Sequence, residues 1–277
     1  MSDKRLTVDG HYSVGGILEE ILQALAGMGK DVDNLTLADL APVDEFHIRG
    51  REATLELAKL AGLKPGLRVL DVGCGIGGSV RHLAVEHQCH VTGLDLTPEY
   101  IETAITLSRM VGLEEMVDFH EGSALEMPFD SGTFDLVWTE HAQMNIADKQ
   151  SLYAEIARVL KPGGRLVFHD IFQGPGGDLH YPVPWAEEGS ISFLIAQDDL
   201  RKMLESLGLH VLDWEYKSRP SLTWFQAAAE RMKESGPPPL GIHLLMGDTA
   251  RMKIGNIIRN LQEERITVLQ AVLEKPY

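Results

Sequence analysis

A chain of 277 residues can bury a full hydrophobic core, as one large domain or as a domain with a lid. Its 41 acidic against 25 basic residues give a formal net charge of −16, which argues against nucleic-acid and anionic-membrane partners, since both need clustered cations. The two cysteines, Cys74 and Cys89, offer neither metal-ligand spacing nor a disulfide framework, so a reducing, cytoplasmic setting without a metal is expected, and no signal peptide or membrane-length apolar run is visible.

Residues 1–10 are polar and expected to fray. Ile17, Leu18, Ile21, Leu22 and Leu25 recur at helical spacing and predict an amphipathic helix over Val14 to Met28. A short helix over Thr36 to Leu40 follows, capped by Asn34 or Thr36. After a polar joint, Asp44 to Arg51, a helix from Glu52 to Ala61 ends at Gly62. Residues 1–62 are read as an N-terminal helical lid, with simple packing onto a sheet as the alternative.

A regular strand–helix alternation begins at Arg68. Strands are predicted at Val69 to Val72, His90 to Leu94, Val117 to His120, Phe134 to Thr139, Arg165 to Ile171, Leu209 to Tyr216 and Ile266 to Leu273. Helices are predicted at Ser79 to His87, from Pro98 to about Val111, at Lys149 to Leu160 (stopped by Pro162-Gly163-Gly164) and at Gln197 to Leu207. This pattern implies an α/β fold with a doubly wound, mostly parallel seven-stranded sheet. Its core would span residues 63–220, with a helical insertion at 221–264 and the last strand at 265–277.

The first strand runs into Gly73-Cys74-Gly75-Ile76-Gly77-Gly78, in which Gly73, Gly75 and Gly78 satisfy the dinucleotide fingerprint. Glycine here lets a ligand approach the backbone, and the helix that follows points its N–H groups at it. Asp71 shifts the reading. Its carboxylate would repel a pyrophosphate and attract an ammonium or sulfonium, which favours S-adenosylmethionine over NAD. Ligands in such sheets bind beyond the carboxyl ends of the strands. Those ends offer Asp71 with the glycines, Asp95-Leu96-Thr97, Glu121-Gly122-Ser123-Ala124 and Thr139-Glu140-His141. Asp95, 20 residues after Gly75, stands where an acid can accept both ribose hydroxyls.

Val-Leu-Asp-Val-Gly-Cys-Gly-Ile-Gly-Gly at 69–78, Gly-Leu-Asp at 93–95, Met-Pro-Phe at 127–129, Phe-Asp-Leu-Val at 134–137 and Arg-Val-Leu-Lys-Pro-Gly-Gly at 158–164 resemble the class I S-adenosylmethionine-dependent methyltransferases. The resemblance covers about residues 50–215. Within that class the chain is similar to the small-molecule branch of sarcosine/dimethylglycine N-methyltransferases and tocopherol and quinone methyltransferases. It implies that Asp71 and Gly73, with Cys74, Gly75, Gly77 and Gly78 in the same loop, serve the methionine moiety. Asp95 would take the ribose, Leu96 and Thr97 would flank the adenine, and Gly122, Ser123 and Ala124 would line its edge. Glu140 and His141 would lie beneath the methionine. Many members carry Asp where this chain has Ser123, which weakens the adenine contact.

A sulfonium methyl needs only a nucleophile positioned behind it and a group to take its proton. His141 and Glu140 are the catalytic candidates. Substrate selection is assigned to residues outside the common core: His47, Arg49 and Arg51 in the joint, Trp185 in the Gly/Pro-rich excursion, and Arg219 and Trp224 near the insertion. The expected acceptor is a small molecule, through an amine or amino-acid nitrogen gripped by one of the arginines. An oxygen or carbon nucleophile of a phenol, quinone or other secondary metabolite is the alternative. Nothing in the sequence opposes a homodimer.

Overall fold

A computed structural model of the chain describes residues 7–13, 15–235 and 239–277. Of residues 1–10, expected to fray, 1–6 fall outside the described residues, as does the expected helix start at Val14, and Val8 to Gly10 instead open a short helix. Four helices come first: α1 (Val8–Tyr12), α2 (Ile17–Gly27), α3 (Leu37–Asp44) and α4 (Arg51–Ala61). Thr36 and Asp39 cap α3 reciprocally, and the helix runs on through Pro42 to Asp44, beyond its expected end.

The alternation then runs β1 (Arg68–Val72), α5 (Gly78–Glu86), β2 (His90–Asp95), α6 (Pro98–Met110), β3 (Val117–Glu121), β4 (Phe134–Glu140), α7 (Lys149–Val159) and β5 (Leu160–Gln173). It continues through α8 (Gln197–Ser206), β6 (His210–Tyr216), α9 (Ser218–Ser235), α10 (His243–Met246), α11 (Ala250–Gln262) and β7 (Ile266–Glu274). The seven strands form one sheet in the order β3-β2-β1-β4-β5-β7-β6, parallel except for β7, which pairs antiparallel with β5 and β6. The expected doubly wound, seven-stranded fold is the observed one. Strand β5 starts at Leu160 instead of Arg165, because the Pro162–Gly164 turn pairs with the end of the chain: Gly163 N–H donates to Lys275 O (2.6 Å) and Lys275 N–H to Gly164 O (2.8 Å).

One face of the sheet carries α7 and α8 through Leu152, Ile156, Leu200 and Leu204 against Leu70, Val137 and Phe168. The other carries α4, α5 and α6 through Leu57, Val80, Leu83 and Ile101 against Val69, Val91 and Trp138. Two further cores stand above the strand ends. In one, α2 and α3 pack with Ile76, Tyr100 and Leu107; in the other, Phe225 and Ile257 of α9 and α11 pack with Trp185, Ile171 and Val268. Among the described residues no helix is long and apolar enough to cross a membrane.

Candidate active site

The strand order reverses between β1 and β4, and a cavity of about 1520 Å³ opens above that point, between the two upper cores. Asp71, Gly73, Cys74, Gly75, Asp95, Leu96, Thr97, Gly122, Ser123, Ala124, Glu140 and His141 all line it. Gly73 has φ +78°, and a Cβ there would come within 2.5 Å of Ala142 Cβ, so the β1 and β4 loops close up only around glycine. Asp95 ties the loops after β1 and β2: its carboxylate accepts from Gly75 N–H and Thr97 N–H, both at 2.9 Å. Ser123 Oγ accepts from Leu125 N–H at 3.1 Å. Gly77 and Gly78 lie outside the cavity wall. A Cβ on Gly78 would overlap the Asp44 carbonyl, so this glycine is where α5 and α3 touch.

A buried network occupies the cavity floor. His47 Nε2 lies 2.9 Å from Glu45 Oε2 and 3.6 Å from Glu140 Oε1, and Arg51 Nε lies 2.7 Å from Glu45 Oε1. Glu140 Oε2 also accepts from Ser79 Oγ (2.9 Å) and Trp138 Nε1 (3.0 Å). Burial by itself would lower the His47 pKa, but the Glu140 and Glu45 carboxylates outweigh it and raise it to about 9. Burial likewise opposes ionisation of Glu45, yet His47 and Arg51 bring its pKa down to about 2. Glu45, His47 and Glu140 place one ligand atom each within 4.8 Å of one another, a donor set that a divalent cation could use. Here the His47 proton and Arg51 supply the positive charge.

This arrangement makes stability pH-dependent. The unfolded histidine titrates near about 6.5, so the folded-state pKa is the higher one. The His47 contribution is complete below that pH and is lost as pH rises through about 9. The parent protein should therefore lose melting temperature over that window, and His47→Gln, less stable throughout, should show a flatter decline. Parallel profiles for the two proteins would remove His47 as the titrating group.

His141 sits behind this network with φ +49°, its backbone N–H bonded to His169 O at 2.9 Å and its ring stacked on His169 at 5.1 Å. His169 Nε2 is held by Ile48 O at 2.9 Å. Burial, then the neighbouring His169 and His47, hold the His141 pKa well below the ordinary value, so it is a neutral ring. Its Nε2 is buried without a hydrogen-bond partner. Burial, with the charges of Glu140 and Asp95, pushes the Asp71 carboxyl well up. A cleft end holding Asp71, Asp95, Glu140 and Glu45 suits a cation and opposes a pyrophosphate.

Of the residues assigned to substrate, His47, Arg51, Trp185 and Trp224 line the same cavity. Arg49 and Arg219 do not; they border a neighbouring cleft of about 460 Å³ with Trp224. Arg49 is buried and makes two bonds to Glu56, at 2.8 and 2.6 Å. Trp185 is 1% exposed and donates to Ser192 Oγ. Sequence reasoning missed Tyr12. Helix α1 lies over the cavity, Tyr12 donating to Asn145 Oδ1 at 2.8 Å and tilting against Tyr100, while Glu99 accepts from Gly15 N–H and Ile17 N–H. The signal available was the Gly15-Gly16 pair just after it, both at positive φ.

The family described as a methyltransferase domain matches residues 70–168, from β1 into β5. The glycine/sarcosine/dimethylglycine N-methyltransferase of Actinopolyspora halophila is 28% identical over 174 residues, 63% of this chain and 31% of that protein. A probable chloroplastic tocopherol O-methyltransferase of Oryza sativa subsp. japonica is 43% identical over 99 residues, 36% of this chain and 27% of that protein. The chain thus spans less than a third of the length of either relative. Among solved structures, a Haemonchus contortus phosphoethanolamine N-methyltransferase 2 in complex with phosphomonomethylethanolamine and S-adenosylhomocysteine shares the fold, with TM-score 0.75 and 19% identity over 98% of this chain and 60% of that one. Residues 70–168 thus match a methyltransferase domain, and the glycine loop after β1, Asp95 and the β4 end, which point to S-adenosylmethionine, lie within that match.

Proposed function

We propose that the chain moves a methyl group from S-adenosylmethionine to a small-molecule acceptor with an extended apolar body, at an oxygen or carbon nucleophile. The observation that carries this reading is the single cavity of about 1520 Å³, which joins the acidic strand ends to an apolar wall from α9, α10 and α11. Drug-sized ligands occupy roughly 300–1,000 Å³, so a cofactor and an amino acid would leave much of it unfilled. The amino-acid reading needed a free arginine fork near the methyl. Arg49 is committed to Glu56, Arg51 to Glu45, and Arg219 stands outside the cavity.

Asp71 and Glu140 would hold the cationic methionine end, Asp95 the ribose hydroxyls, and Leu96, Ser123 and Ala124 the adenine. When bound, S-adenosylmethionine supplies an activated methyl group. What remains for the chain is to align the acceptor, exclude water and remove a proton. His141 is the base in this reading, because its ring is neutral and its Nε2 is unpartnered. Glu140, already accepting from Ser79 and Trp138, serves the cation. Incubation with S-adenosylmethionine and a metabolite panel, read by mass for one added methylene, should give product with phenolic, quinone or isoprenoid acceptors. Turnover confined to glycine, sarcosine or dimethylglycine would reverse the acceptor assignment.

A further inference from the structure

The charges lining the main cavity are unevenly distributed: at the strand ends the two cationic groups, His47 and Arg51, are both paired with Glu45 and outnumbered by carboxylates. The acids are Asp44 and Glu45 of α3 and the joint after it, Asp71, Asp95 and Glu140 at the strand ends, and Asp148 at the start of α7. The wall built by residues 218–262 contributes no carboxylate. Its charged lining groups are Arg231, Lys233 and Arg251, accompanied by His243, while Glu230, Glu234 and Asp248 of the same segment lie outside the wall.

Lys233 is paired with Glu230 at 2.7 Å. Arg231 and Arg251 make no hydrogen bond or ion pair among the described residues. Both are exposed, whereas Trp185, Phe225, Leu245, Met246 and Ile257, which line the same cavity, are buried. α9 and α11, which carry the two arginines, pack on each other. In a chain of net charge −16, two guanidinium groups without a partner among the described residues stand out on the wall of an apolar cavity. A planar guanidinium is also the group best shaped for a carboxylate or a phosphate.

We infer that the acceptor is an amphiphile with an anionic head, a carboxylate or a phosphate, which Arg231 and Arg251 hold at the outer end of the cavity while the apolar body runs inward past Trp185 and Phe225. The inference rests on the methyl-transfer reading for which end of the cavity reacts. It requires a ligand polar at both ends and apolar between, with its nucleophile remote from its charge.

The test is calorimetric, on the full chain saturated with S-adenosylhomocysteine, using decyl phosphate, decanoate and decanol below their aggregation limits. The parent should bind at least one of the anions about 10-fold more tightly than decanol, as expected for one charge-assisted contact. An advantage for decyl phosphate alone would identify a phosphorylated head, and an advantage for both anions would admit a carboxylate. In the Arg231→Gln/Arg251→Gln double variant the preference should fall to near unity, with affinities for decanol and S-adenosylhomocysteine unchanged. Equal binding of decanol and both anions by the parent would overturn the inference, as would a preference that survives the double substitution. Binding only to phosphatidylglycerol vesicles, and to none of the free amphiphiles, would also overturn it in favour of a membrane surface. Failure to bind S-adenosylhomocysteine at all would instead remove the methyl-transfer reading.

Discussion

Asp95→Ala should weaken S-adenosylmethionine binding by at least about 100-fold while leaving a folded protein. Two ribose hydroxyls donating to one carboxylate are two charge-assisted bonds, each contributing about 1.5–3 kcal/mol. The same carboxylate also accepts from Gly75 and Thr97 N–H, so the substitution frees the two loops that shape the acidic end of the cavity. Stability should move the other way or hardly at all. Burial raises the Asp95 pKa against the pull of those amides, so the unliganded protein carries this carboxylate at a cost. Asp95→Asn, which retains one carbonyl acceptor, should fall between parent and alanine. Calorimetry with S-adenosylmethionine and a thermal melt on each variant settle the matter. A folded Asp95→Ala protein with the parent dissociation constant would take the ribose away from this residue.

The sheet was legible because its central strands are buried on both faces, so each reads as an apolar, β-branched run cut off by glycine or a polar cluster. Strands β1, β2, β4 and β7 lie within one or two residues of expectation for that reason, and the edge strands β3 and β6 do so because turn residues bound them. Strand β5 departs because its first residues are held by Lys275, more than a hundred positions away, and a local Pro-Gly-Gly signal says nothing of that partner. Helix α1 has five residues and no periodicity to read; its anchors are Asn145 and Pro184, reached through Tyr12 and His11. The acidic end of the cavity was legible because strand ends in this topology converge, so Asp71, Asp95, Glu140 and His141 had to meet. The far end was not. Arg49 and Arg51 stand two residues apart in one polar joint, yet one turns to Glu56 behind the cavity and the other to Glu45 on its floor. His47, read as a substrate contact, is the centre of a charge network whose second carboxylate comes from β4.

Arg81→Ala should cost about 3–5 kcal/mol of stability, the range for leaving one partner of a buried ion pair uncompensated. Arg81 is fully buried, and its Nη2 lies 2.5 Å from Asp44 Oδ1, whose side chain is 2% exposed. Its Nη1 donates to Ile76 O at 2.9 Å and to Ser108 Oγ at 3.2 Å. One guanidinium therefore joins the end of α3, the glycine loop, α5 and α6, and its partners Asp44 and Ile76 line the cavity. Alanine would strand the Asp44 carboxylate in a site where burial already opposes its ionisation. Removing both charges should be far milder than removing one, so Arg81→Met/Asp44→Leu should recover at least half of the loss seen in Arg81→Ala. Denaturant unfolding of the parent, the two single variants and the double variant gives the coupling directly. Because the Ile76 carbonyl loses its anchor in either case, the double variant should regain stability without regaining full S-adenosylmethionine affinity. Losses that simply add would mean that Arg81 and Asp44 act independently, and that α3 is held to the glycine loop by apolar packing alone.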